Sequence, residues 1–188
     1  MEKEIYNIIS IVLSPSIIPI YLTLIFSFFS PIGLGSLDPI SSILIGSIFL
    51  SLLPIASIFY FSREDINIKR KKRTKVYLAY ITSFLISSVI FWFYNSHIMF
   101  VISVNYAFVT SALCIINLFW KISAHTAGNA GPTTALIYVF GAELMPLYVL
   151  TLIVILARIK MGIHNLSQTI AGAIVAIIIT SLVYTTLW

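Results

Sequence analysis

Charge is scarce in this chain of 188 residues: Asp, Glu, Lys and Arg together make up 9% of it. A soluble domain of this size carries about 25% charged residues, so the chain cannot cover a water-facing surface, and a soluble enzyme is excluded. The six acidic residues form no compact cluster that would bind a metal. Cysteine occurs once, as Cys114 inside an apolar run. That excludes a disulfide scaffold and leaves Cys114 as a small packing residue. There is no internal repeat and no low-complexity linker, and the composition rules out both a coiled coil and a disordered tail.

What is abundant is apolar sequence. Hydrophobic residues make up 60% of the chain, and its mean hydropathy is +1.05. The expected fold is an all-α, polytopic transmembrane helical bundle in a single membrane domain, residues 1–188. At ~20 residues per crossing, about six to seven spans fit. Apolar segments run over 6–30, 40–61, 76–95, 98–120, 123–142, 144–159 and 165–187. The fifth and sixth are short for full spans and are expected to tilt or to begin below the headgroup level. The N-terminal residues Met-Glu-Lys-Glu are not a positive leader, so the first segment reads as a retained span, not a signal peptide. Small residues crowd segment five (Ala124, Ala127, Gly128, Ala130, Gly131) and segment seven (Ala171, Gly172, Ala173, Ala176). They predict two closely approaching central helices.

The charges are unevenly placed. Residues 62–75 carry seven basic and two acidic side chains, a local +5 equal to the formal net charge of the whole chain. With seven spans, the N-terminus and the connections after segments two, four and six share one face, which then holds all 11 basic residues. The positive-inside rule assigns that face to the cytoplasm. The charge does not imply nucleic acid, because no soluble fold displays it; lipid headgroups or a phosphate ligand meet such a face first.

Ionisable residues beside spans are candidates for function. His125, in Lys121-Ile-Ser-Ala-His125, opens segment five, and His164, in Arg158-x5-His164-x3-Gln168, opens segment seven. Both fall on the basic face with the 62–75 loop. This set suits phosphate chemistry. Arg offers a planar fork to phosphate oxygens, and the helix start at Ser123 and Ala124 offers backbone N–H donors. One neutral His can attack phosphorus while a second protonates the leaving oxygen. Gln168, four residues after His164, could accept from one ring nitrogen, and Asn129 stands in the same relation to His125. His97 falls on the opposite face as a turn residue.

These residues resemble the type 2 phosphatidic acid phosphatase superfamily, the lipid phosphate phosphatases, whose motifs are K-x6-R-P, P-S-G-H and S-R-x5-H-x3-D. Ile122-Ser-Ala-His125 matches the second motif at Ser and His. Ala157-Arg158-x5-His164-x3-Gln168 matches the third at Arg and His, with Gln in place of Asp. The first motif is represented by Asp65-x4-Arg70-x2-Arg73 or by Arg63-x6-Arg70. The resemblance implies His164 as nucleophile through a phosphohistidine and His125 as general acid. Arg158, Arg70, Arg73 and the Ser123–Ala124 helix start would hold phosphoryl oxygens, with no metal or other cofactor. Lys121 could touch a second phosphate. Arg70 and Arg73 stand open between phosphate ligand and headgroup anchor; Lys71, Lys72, Lys75 and Lys160 read as anchors.

The expected activity is therefore hydrolysis of a phosphate monoester or diphosphate on a membrane lipid. A cytoplasmic site meets newly made prenyl diphosphates first, which favours an isoprenoid or polyprenyl diphosphate over phosphatidate or another glycerolipid phosphate. Two rivals come from other classes: an anion transporter, which would need a polar path through the bundle, and a catalytically weak phosphate-binding member, which the neutral Gln168 would allow.

Overall fold

A computed structural model describes residues 2–62 and 70–188, without the side chains of Glu2, Ser62, Arg70, Lys71 and Lys72. The described residues are helical and contain no strand. Helix α1 spans Glu2–Val12, α2 Ile18–Phe29, α3 Pro39–Ser47, α4 Leu53–Ser62, α5 Arg70–Phe93 and α6 His97–Phe119. After these come α7 over Ala124–Phe140, α8 over Tyr148–Lys160 and α9 over Leu166–Leu187. A π-helical turn, Ile48–Leu52, joins α3 to α4, and a 3₁₀ turn, Ala142–Leu147, leads into α8.

Among the described residues, five continuous helices are long and apolar enough to cross a membrane: Pro39–Phe61, Arg73–Phe93, His97–Phe119, Ala142–Lys160 and Leu166–Leu187. Their solvent is legible in the side chains. Leu85, Phe108, Ile115, Leu152, Leu156, Ile178 and Leu182 point outward and are exposed, while Ser42, Ser51, Ser87, Ser103, Thr169 and Thr180 are buried. Lipid tails are as apolar as Leu, so small polar residues inside the bundle provide the close contacts and interhelical hydrogen bonds. Ser87 Oγ on α5 and Ser103 Oγ on α6 lie 2.9 Å apart, a bond of about 0.6 kcal/mol in such an interior.

The expected first segment, 6–30, is not one helix. The chain turns at residues 13–17, around Pro15, and Pro19 follows within the first turn of α2. Proline lacks the N–H that would continue a helix. Helix α1 is therefore separate and amphipathic: Ile5, Ile8, Ile11 and Val12 are exposed, and Ser10 is buried. It packs chiefly on α8. Segment six is longer than expected, because the 3₁₀ turn extends it to Ala142–Lys160.

The small-residue helices α7 and α9 pack closely, as their composition implies. A Cβ on Gly172 would lie 2.4 Å from the Ser123 carbonyl oxygen, and one on Gly131 would lie 3.2 Å from Thr180 Oγ1. Thr126 Oγ1 donates to the Thr169 carbonyl at 2.9 Å, and the Ser123 N–H donates to the Gln168 carbonyl at 3.2 Å. The starts of α7 and α9 are thereby tied together at one end of the bundle. At the other end, His97 meets the Leu187 carbonyl and the Ser36 N–H meets the Tyr94 carbonyl.

Candidate functional site

The spacing between Arg158 and His164 is the length of one helix ending. Helix α8 stops in a Schellman arrangement. The Ile163 N–H donates to the Arg158 carbonyl at 3.1 Å, and the Gly162 N–H donates to the Ile159 carbonyl at 2.9 Å. Gly162 sits at φ +69°, a conformation that a Cβ would strain. The turn carries the chain back over the last helical turn, so the His164 N–H also approaches the Arg158 carbonyl, at 3.3 Å.

Asn165 then caps α9, and Gln168 closes a capping box: the Gln168 N–H donates to Asn165 Oδ1 at 2.9 Å and the Asn165 N–H to Gln168 Oε1 at 3.3 Å. His164 Nδ1 lies 3.1 Å from that same Oε1. Since Oε1 is already accepting from a backbone N–H, Nδ1 must be the protonated ring nitrogen. The lone pair is therefore on Nε2. Gln168 thus serves the helix end and the imidazole with one oxygen.

A cavity of about 430 Å³ opens beside this turn. Of the residues singled out from the sequence, Arg73 of α5, Ala124 and His125 of α7, Arg158 of α8 and His164 line it. Arg158 is 5% exposed. It donates from Nη1 to Ser10 Oγ at 2.7 Å, while its buried Nε–H has no partner among the described residues. The rest of the lining is largely apolar and includes Ile11, Ile17, Ile55, Ile58 and Phe59.

The remaining candidates lie around this cavity. Gln168 stands behind His164. Ser123 is fully buried, and its hydroxyl oxygen accepts from the Thr126 N–H at 3.4 Å, capping α7. Lys121 donates from Nζ to the Ile163 carbonyl, which fastens the turn that carries His164. Asn129 does not reach the His125 ring; its amide donates to the His125 carbonyl and to the Leu13 carbonyl, each at 2.8 Å. Arg70 opens α5, but its side chain lies outside the described atoms, as do all atoms of Arg63, Asp65 and Lys69. The two versions of the first motif therefore both fall largely outside the described residues. Among the described residues, no three His, Cys, Asp or Glu side chains are grouped to hold a metal ion.

Electrostatics favour a neutral His164. Burial comes first, followed by the positive charges of Arg158, Arg73 and Lys121. Together they push its pKa down to about 3, against a small upward pull from Gln168. Burial, then Arg73 and Arg158, also lower Lys121. An uncharged imidazole with a free nitrogen, set among cations, is the form a nucleophile toward phosphorus requires.

The part played by the N-terminal helix is absent from the motif reading. Asn7, Ser10, Ser14 and Ser16 line the cavity, and Ser16 Oγ lies 3.1 Å from Tyr80 OH. The signal is a run of polar residues in an Ile-rich stretch: Asn7, Ser10 and Ser14 at spacings of three and four, with Ser16 two residues beyond. Compared with family profiles, characterised proteins and solved structures, the chain matches none.

Proposed function

We propose that this chain is a membrane lipid phosphatase that hydrolyses a phosphate or diphosphate from a lipid, most readily an isoprenoid diphosphate. The observation that carries this reading is His164: Nδ1 is committed to Gln168, and the ring lines a cavity shared with Arg73, His125 and Arg158. In the proposed reaction Nε2 attacks phosphorus and the P–O bond to the leaving group breaks. The electron pair goes to the leaving oxygen, which takes a proton from His125. Water then gives a proton to the now neutral His125 and attacks the phosphohistidine; the P–N bond breaks, its electron pair returns to Nε2, and phosphate departs. Burial, then the charges of Arg158, His164 and Arg73, hold the His125 pKa well below its ordinary value; a phosphoryl group bound among Arg73 and Arg158 offsets the part due to the cations and shifts His125 toward its protonated form.

The apolar wall of Ile11, Ile55, Ile58 and Phe59 beside the cations supports a substrate with a hydrocarbon tail. The five long apolar helices are compatible with an integral membrane protein. We assign the basic end to the cytoplasm from the charge asymmetry, and with it a prenyl diphosphate ahead of phosphatidate. A second reading is favoured by the neutral Gln168. An amide orients the ring but does not stabilise the imidazolium as a carboxylate would, so the protein could bind lipid phosphates with little turnover.

The test is phosphate release by the purified protein from farnesyl diphosphate and from phosphatidate, with and without EDTA, alongside orthovanadate binding. Release that requires His164 and survives EDTA is expected. Vanadate binding without release supports the second reading, and neither binding nor release refutes both. Orientation is tested separately with an impermeant thiol reagent on intact cells: Ile32→Cys should label and Lys160→Cys should not.

A further inference from the structure

Helix α1 lies outside every motif that pointed to phosphate chemistry, yet it supplies the hydrogen-bond partner seen on the buried guanidinium. Ser10 is 4% exposed and Arg158 5%, and they are joined at 2.7 Å across 148 residues of sequence. A serine inside a helix commonly turns its hydroxyl back to the carbonyl four residues earlier. Here Ser10 Oγ instead accepts from Arg158, since a guanidinium can only donate.

An arginine side chain has about 2 kcal/mol of rotamer entropy, and a flexible fork binds an anion less well than one already held. Fixing Nη1 sets the plane of the guanidinium and so the direction of Nε–H, which no described residue uses. The N-terminal segment is itself anchored at the site. Helix α1 packs along α8, which carries Arg158, and the Leu13 carbonyl just after it accepts from Asn129 of α7 at 2.8 Å.

We infer that Ser10 is a positioning residue for Arg158: α1 is part of the phosphoryl-binding site and acts by pre-orienting the guanidinium. This rests on the lipid phosphatase reading, and the experiment separates the two. Affinity for orthovanadate is measured on the full chain in detergent, with kcat and KM for farnesyl diphosphate. Ser10→Ala is expected to weaken vanadate binding about tenfold, equivalent to about 1.4 kcal/mol, and to raise KM more than it lowers kcat. In an Arg158→Lys background, where the planar fork is gone, the same change should alter affinity less than twofold. Ser111→Ala, whose hydroxyl only bonds back to the Ala107 carbonyl, should behave as wild type.

Because Ser10→Ala could loosen α1 by packing alone, the near-isosteric pair Ser10→Thr and Ser10→Val is compared as well. Thr should bind vanadate at least fivefold more tightly than Val. Equal affinities in that pair, or equal losses from Ser10→Ala with and without Arg158→Lys, overturn the inference and leave the phosphatase reading standing. A wild-type protein that binds no vanadate and releases no phosphate overturns both.

Discussion

Two helices in this protein end in the same way, and each ending delivers a histidine. Helix α5 closes with the Ser96 N–H on the Phe91 carbonyl and the Asn95 N–H on the Trp92 carbonyl, with Asn95 at φ +54°. Helix α8 closes with Ile163 on Arg158 and Gly162 on Ile159. His97 and His164 occupy the same place after the turn, six residues beyond Phe91 and Arg158 respectively. The outcomes differ completely. His97 has Nε2 2.7 Å from the Leu187 carbonyl and its ring stacked on Trp188. His164 has one nitrogen held by Gln168 and lines a cavity walled by arginines. A six-residue spacing is thus only the geometry of a helix stop. What distinguishes the two ends is the residue at its start, Phe or Arg, and whether the ring is bonded to a helix C-terminus and stacked on an indole or lines a cavity.

The largest expected effect breaks this pair apart directly. His164→Ala should reduce phosphate release by at least about 10³-fold, the order of loss seen when a nucleophile is removed. His97→Ala should change it less than threefold, because the His97 side chain closes the far end of the bundle. Equal losses measured by phosphate release would remove the distinction. Next in size is His125→Ala, expected to slow hydrolysis of prenyl diphosphate about 10²-fold or more. Aryl phosphates, whose leaving groups need no proton, should be slowed much less.

A third experiment sharpens the comparison through pH. His164, held near pKa 3 when folded, titrates near 6.5 in an unfolded chain. The unfolded state therefore binds the extra proton first. The stability this histidine contributes is complete above pH 6.5 and is lost as pH falls toward 3. Melting curves should show that loss, and it should be smaller in His164→Ala. Gln168→Glu keeps the reach of the capping box and adds a carboxylate, so it should raise the pKa of His164 and move the acid limb of kcat/KM to higher pH. An unmoved limb would mean that Gln168 does not contact the reacting ring.

The smallest effects test the turns themselves. Gly162→Ala should cost about 1–2 kcal/mol in a heat scan, the penalty of a left-handed residue with a Cβ. Nothing stands within 4 Å of that Cβ, so the cost would be conformational alone. Asn95→Gly, which relieves a left-handed position, should be neutral or slightly stabilising.

Much of the architecture is legible in the sequence because lipid demands it: few charges and long apolar runs leave little besides a helical bundle. The α7–α9 contact is legible in Gly131 and Gly172, since only small residues permit that approach. The cluster of Arg158 and His164 comes from a spacing that one chain segment sets by itself. What escapes is tertiary. Pro15 and Pro19 are visible breaks, but nothing local says that the helix before them folds back as a cavity wall. Asn129 is one helical turn from His125, and such neighbours bond a backbone carbonyl as readily as a ring. Lys121 stands out in the sequence for its place one helical turn before His125, but the bond from its ammonium to the Ile163 carbonyl emerges only when two loops converge.

The π-helical turn at Ile48–Leu52 has a consequence for how this chain tolerates being edited. Pro54 cannot donate to the Leu50 carbonyl, and its ring would press on it. The widened turn gives way there, with the Leu53 N–H bonded to the Ile48 carbonyl and Ser83 Oγ reaching over from α5 to the Phe49 carbonyl at 2.6 Å. Such a turn holds one residue more than a regular helix would. It works as a phase shifter: α4 is rotated relative to α3 by about 100°, the angle of one helical residue. Ile55, Ile58 and Phe59 face the cavity because of that offset. Removing a single codon within 48–52 would leave composition and hydropathy almost untouched, yet it would turn that wall of the cavity toward a different neighbour.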